Sequence, residues 1–246
     1  MAPTAPRISR TLLRLFRMYC DAYYPRHMHR LLVAGEEHLR VQGAVVIYFN
    51  HPSWWDPLTC LQIAWRLLPD RKHYGPIDAA ALERYRFLSK LGLFPLEQQT
   101  LRGARQFLTT AKAILKDPNA CLWITPQGRF ADVRERPLRF MPGLNHLDAT
   151  CIPLALEYVF FEESKPEVLA RFGAPANTRH EAALTAVMEQ VAADAVARDV
   201  HAYRSILTGR VGVGGVYDLY RKCKAMLKGE RFAPEHAETM KRRSAN

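Results

Sequence analysis

A chain of 246 residues with 48% hydrophobic content buries one substantial core but leaves two full domains cramped, and its formal net charge of +11 points to a polyanionic partner, a nucleic acid or an acidic membrane leaflet. Five scattered cysteines, at 20, 60, 121, 151 and 223, form no C-x-x-C pair or Cys/His cluster, and their odd number argues against a disulfide framework; they are expected to be packing residues in a reducing compartment. No stretch approaches roughly 18 uncharged apolar residues and the N-terminus lacks a signal peptide's apolar core and cleavage site, so the chain is expected in the cytoplasm without a membrane span.

Residues 1–32 set Arg7, Arg10, Arg14 and Arg17 among Leu12, Leu13, Leu15, Phe16, Met18 and Tyr19, with Tyr23 and Tyr24 following. As a helix this gives a basic set beside an apolar and aromatic one, the composition of an interfacial element, although a helix packed on the core has the same pattern. The run Ala44–Phe49 predicts a buried strand ending at Asn50-His51-Pro52. A helix is expected over 56–68, closed by Pro69-Asp70, and a short one over 80–91. The clearer helix, 104–116, carries Ala104, Phe107, Leu108, Ala111 and Leu115 on one stripe. Strands are expected at 120–125, 151–160 and 167–173, and Leu184, Val187, Met188, Val191 and Ala195 mark a long amphipathic helix. Strands alternating with helices imply an α/β fold, a central mostly buried sheet flanked by helices. The Gly-rich stretch 209–215 lacks G-x-G-x-x-G spacing and reads as a loop, and the last stretch is basic, with eight Lys or Arg between Arg221 and Arg243 against three Glu.

The segment Asn50-His51-Pro52-Ser53-Trp54-Trp55-Asp56 carries the chemistry. Acyl transfer to a hydroxyl needs a base that takes the proton as the oxygen attacks, which a neutral histidine does well near pH 7. A carboxylate on the other ring nitrogen fixes the tautomer and stabilises the imidazolium, as in a serine-protease triad with the acceptor supplying the oxygen. Five residues across a strand-to-helix turn allow His51 and Asp56 to meet. The competing reading makes Asp56 only a first-turn acid of the helix and His51 a structural residue.

N-H-P-S-W-W-D resembles the N-H-x-S-x-x-D block of the glycerophosphate and lysophosphatidate acyltransferase family, and GLFPLEQ (92–98), TPQGRF (125–130) and CIPLALEY (151–158) resemble its other blocks in order and spacing. The resemblance covers about residues 35–175. It implies a central sheet with helices, an N-terminal helix resting in the membrane, an acyl-CoA or acyl-carrier-protein donor as co-substrate, no cofactor and no metal. It also implies His51 and Asp56 as the catalytic pair, and makes Asn50, Ser53, Gln98, Arg102, Gln127, Gly128 and Arg129 the candidates for binding substrate.

The chain departs from the family pattern at two positions: Gln98 stands where the family usually has an arginine that grips the acceptor phosphate, and Thr125-Pro126-Gln127-Gly128 where it usually reads F-P-E-G. A glutamine does not replace a charge-assisted contact worth roughly 1.5–3 kcal/mol. Arg102, Arg105 or Arg129 could compensate, or remain solvated; otherwise the acceptor differs from glycerol 3-phosphate and lysophosphatidate. Gln127 keeps the capacity to hold a hydroxyl.

The expectation is one acyltransferase domain, with an interfacial helical element at 1–32, a catalytic core at 33–175 and a helical basic segment at 176–246. It should act on a lipid or lipid-like alcohol at the cytoplasmic face of a membrane, peripheral or monotopic, on a surface holding anionic lipid. Two alternatives stay open: a conventional lysophosphatidate acyltransferase with relocated phosphate contacts, and a catalytically silent membrane-binding module. Nucleic acid is not expected as a partner, since the aromatics sit with apolar neighbours and no binding motif occurs.

Overall fold

The computed structural model describes residues 5–209 and 216–229. Ser9 caps the first helix, α1 (Arg10–His27), accepting from the Leu12 amide at 3.4 Å. The chain then enters β1 (Arg30–Ala34), so the last residues of the expected N-terminal helix are strand. Leu31, Leu32, Val33 and Ala34 form an apolar run long enough to pair on both sides and are buried there.

β2 (Val45–Phe49) is buried throughout and leads to α2 (Asp56–Leu67), with Pro57 in its first turn. Then come β3 (Lys72–Asp78), α3 (Ala79–Arg84), a 3-10 turn at Arg86–Leu91, β4 (Leu93–Leu96) and α4 (Leu101–Ile114). The single helix expected over 80–91 is therefore two short pieces, broken at Tyr85, whose φ/ψ of −120° and 61° lie outside the helical region. β5 (Ala120–Ile124), β6 (Thr150–Val159), β7 (Glu167–Phe172) and α5 (His180–Ala197) follow. The expected helical segment 176–246 is interrupted by β8 (Arg204–Thr208), an edge strand antiparallel to β1, before α6 (Val216–Leu227). The Gly-rich residues 210–215 and the basic residues beyond 229 lie outside the described part of the chain.

The described strands make one eight-stranded sheet in the order β4-β3-β5-β2-β6-β7-β1-β8. β4, β3, β5, β2 and β6 run parallel, and β7 is antiparallel to β6. Parallel strands need both faces covered, which is why β2 and β5 read as unbroken apolar runs. Val45, Ile47 and Phe49 pack with Tyr24 of α1, with Met28 just past its end, and with Cys60, Ile63 and Ala64 of α2. Val46 and Tyr48 face the other layer, with Ala111 and Ile114 of α4 and Leu184, Met188 and Val191 of α5. Four cysteines are packing residues as expected, whereas Cys223 on α6 is exposed. No described helix is long and apolar enough to cross a membrane.

Candidate active site

Because β2, β3, β4, β5 and β6 run parallel, their C-terminal ends share one edge of the sheet. The chain leaves β2 toward β3 on one side and leaves β5 toward β6 on the other, so the gap between β5 and β2 is the topological switch point, where open α/β sheets leave a crevice for ligands. His51 follows β2 and Gln127 follows β5 at that gap. A hollow of about 500 Å³ lined by Ala44, Lys116 and Thr150 lies at the opposite edge, away from this chemistry.

Asn50 fixes where the turn begins. Its Nδ2 donates to the Leu156 carbonyl at 2.9 Å and its Oδ1 accepts from the Leu156 amide at 2.8 Å, so the side chain extends the β2–β6 ladder one step past the strand. Expected to bind substrate, it is buried, with both ends of its amide taken up by the backbone. Ser53, another expected substrate contact, shapes the turn: its Oγ accepts from the Trp55 amide at 3.1 Å and its carbonyl from the Asp56 amide at 3.2 Å.

His51 and Asp56 are brought together as the spacing predicts, with Nδ1 to Oδ2 at 2.6 Å. The Asp56 side chain is fully buried and that of His51 is 19% exposed. A carboxylate accepts, so Nδ1 carries the proton and Nε2 presents its lone pair. Asp56 takes two further donors, the Ser53 amide to Oδ2 at 3.1 Å and the Tyr158 hydroxyl to Oδ1 at 2.8 Å. Tyr158 spends its only proton there, so the Thr59 hydroxyl, 2.9 Å away, donates to Tyr158, and Tyr24 of α1 donates to Thr59 at 2.9 Å. Burial, with Asp56 nearby, raises the Tyr158 pKa well above the phenol range and keeps it a donor. Sequence reasoning missed this chain of hydroxyls. Tyr158 closes the CIPLALEY block and was within reach of it; Thr59 and Tyr24 gave no signal, because 35 residues separate them.

The loop after β5 covers His51. The Ala131 amide donates to the His51 carbonyl at 3.0 Å, and the Phe130 ring lies 4.2 Å from the imidazole, centroid to centroid. Gly128 has φ +65°, and a Cβ there would sit 2.8 Å from Met141 Sδ, so the turn needs glycine. Gln127 is buried and its Oε1 has no hydrogen-bond partner among the described residues. Arg129 is committed to Glu135 and to the Phe130 carbonyl.

Gln98 is exposed just past β4, on the same edge as His51 but three strands away, about 14 Å by interstrand spacing. The adjoining start of α4 is tightly built: Thr100 caps it, and a Cβ on Gly103 would strike the Glu97 carbonyl at 1.8 Å. Arg102 and Arg105 project from that first part of α4, exposed and without ion-pair partners among the described residues.

An aromatic chain joins the site to α1. Phe16, Tyr19, Tyr23 and Trp55 follow one another at centroid spacings of 6.1, 5.4 and 5.9 Å, and Trp54 meets Trp55 at 5.6 Å. Leu15, Met18 and Tyr19 of α1 and Trp54 beside His51 all face solvent. Among the described residues, no group of three or more His, Cys, Asp or Glu is placed to hold a metal ion.

Comparison with known proteins bears on this arrangement. No curated protein matches the chain. The crystal structure of the 1-acyl-sn-glycerophosphate (LPA) acyltransferase PlsC from Thermotoga maritima is similar at a TM-score of 0.46 and 13% identity, over 78% of each chain. The model of the acyltransferase family matches residues 30–157, from β1 through most of β6, and so takes in the His51–Asp56 turn and the β5 loop. That match spans more than half the sequence and agrees with the family expected from the four blocks: the chain belongs to the acyltransferase family.

Proposed function

We propose that the protein transfers a fatty acyl group from an acyl thioester, acyl-CoA or acyl-carrier protein, to a hydroxyl of a membrane lipid, with His51 as general base and Asp56 orienting it. The observation that carries this reading is the 2.6 Å contact between His51 Nδ1 and the buried Asp56 carboxylate, which leaves Nε2 to act at the sheet edge. As the acceptor oxygen attacks the thioester carbonyl carbon, its proton moves to Nε2; the C–S bond then breaks and the imidazolium returns the proton to the leaving thiolate. The test is an acyl-transfer assay of the full chain with labelled acyl-CoA and carrier-protein donors and lipid acceptors, beside a His51→Ala variant of matched folding. Activity equal to that of the unaltered protein in the variant would exclude the assignment.

The acceptor is a lipid alcohol without a terminal phosphate, a glycolipid or a lysophospholipid diester. Gln98 and Gln127 support this: neither supplies a cation, and the unpartnered buried Oε1 of Gln127 suits a hydroxyl donor. A second reading, a conventional lysophosphatidate acyltransferase, is favoured by Arg102 and Arg105, which are exposed and, among the described residues, free of ion pairs where Arg129 is not. In both readings α1 rests on the membrane through Leu15, Met18 and Tyr19. Cys20 and Tyr24 of that helix are core residues, so the contact is tested by Leu15→Asp with Met18→Asp rather than by deletion; unchanged sedimentation with anionic vesicles would remove it.

A further inference from the structure

The helix α6 is amphipathic in an inverted sense. Leu219, Tyr220, Cys223, Met226 and Leu227 recur at i, i+1, i+4, i+7 and i+8, which places them on one stripe, and all five are exposed. Met226 and Leu227 reach 83% and 88% exposure, whereas Arg221 and Ala225, on the other side of the helix, are the half-buried positions. Lys224 flanks the stripe on one side and Lys222 on the other, with Lys228 beyond, all exposed. Long lysine side chains beside an apolar stripe let the stripe enter an apolar layer while the ammonium groups stay at its charged boundary.

From this geometry we infer that α6 is a second membrane-docking helix, whose apolar stripe inserts into the boundary of a bilayer carrying anionic lipid. Charge complementarity selects that occupant. Two copies meeting stripe to stripe would bring flanking lysines of like sign together, and the half-buried side of α6 carries Arg221 and Ala225, not the stripe. The basic residues continue past the helix in Arg231, Lys241, Arg242 and Arg243, and the whole chain carries +11. This inference shares the membrane with the proposed contact of α1 but does not depend on it.

Cys223, in the middle of the stripe, supplies the probe. It is the exposed cysteine; the other four are buried, and burial pushes the thiols of Cys20 and Cys121 up to about 12, that of Cys151 to about 11, and that of Cys60 well above its usual value. An environment-sensitive thiol fluorophore therefore labels the full chain at Cys223. With phosphatidylcholine vesicles containing phosphatidylglycerol the emission should shift to the blue and brighten, and raised salt or vesicles lacking phosphatidylglycerol should weaken the response. Each lysine near an anionic surface contributes roughly fivefold, so Lys222→Glu with Lys224→Glu should weaken partitioning by at least about tenfold. Met226→Asp with Leu227→Asp, at positions the fold does not use, should reduce sedimentation of unlabelled protein to a similar degree. Sedimentation with vesicles while the Cys223 probe keeps its aqueous emission would overturn the inference and leave the α1 contact standing. So would a blue shift without vesicles that grows with protein concentration, which would mark self-association, or a failure of the full chain to sediment at all.

Discussion

The two sides of the switch point are built differently. On the β2 side the side chains of Asn50, Ser53 and Asp56 all have partners within the fold: Asn50 holds Leu156, Ser53 holds Trp55 and Asp56, and Asp56 receives His51, Ser53 and Tyr158. On the β5 and β4 side the groups are open, with Gln127 Oε1 buried and unpartnered, and with Gln98, Arg102 and Arg105 exposed. A half-site complete without substrate is preorganised for chemistry, which supports the general-base role proposed for His51. A half-site left open gains its partners only when a ligand arrives, and under the proposed function acceptor choice is set there.

The largest break in this contrast comes from the closed side. His51→Ala should cost about 10²–10⁴ in kcat with the melting temperature little changed, because His51 sits at a sheet edge outside the core, and Asp56→Asn should also be severe. Steady-state kinetics beside thermal melts read both. On the open side, lysophosphatidate should be used at least about tenfold less well than the best lipid alcohol lacking a phosphomonoester, since a lost charged hydrogen bond is worth roughly 1.5–3 kcal/mol. Gln98→Arg should narrow the gap in kcat/KM. A panel with one acyl donor decides it, and lysophosphatidate as the best acceptor would promote Arg102 and Arg105 as phosphate ligands.

Tyr158→Phe sharpens the comparison by loosening the closed side without touching substrate. Asp56 loses one of its three donors, so kcat should fall about five- to tenfold with KM nearly constant, and stability by about 1–3 kcal/mol. Tyr24→Phe, two hydroxyls further out, should do less. The smallest effect lies away from both halves. His73 accepts from Trp123 Nε1 at Nδ1 and donates to the Leu68 carbonyl from Nε2, and burial lowers its pKa to about 4. Above about pH 6.5, its unfolded value, the neutral ring is no burden; as pH falls from there toward 4 the unfolded chain takes up the proton first, and stability declines by on the order of 2–3 kcal/mol. Denaturant melts across that range should show a shallower decline for His73→Gln.

Much of the parallel core was legible. The strands at 45–49, 120–124, 150–159 and 167–172 match the expected apolar runs closely, since strands buried on both faces must be apolar along their whole length. The His51–Asp56 contact was legible for a local reason: a strand-to-helix turn of five residues leaves its two ends few other ways to lie. β3 was not, because Lys72-His73-Tyr74-Gly75-Pro76 has neither alternation nor an apolar run and is a strand only through pairing with β4 and β5. β8 likewise exists through β1, and Arg30–Leu32, expected as helix, become strand between β7 and β8.

Local pattern in the sequence carried the family and the layered class: apolar period, turn residues, and a histidine and aspartate within one turn. Tertiary packing alone set the bonds by which Asn50 ties β2 to β6, Arg129 pairs with Glu135, and Tyr24 of α1 reaches Asp56 through Thr59 and Tyr158. Those outcomes depend on which side chains the packed layers bring within about 3 Å of one another, and a hydrogen bond between residues 35 or 102 apart leaves no periodicity for the sequence to display.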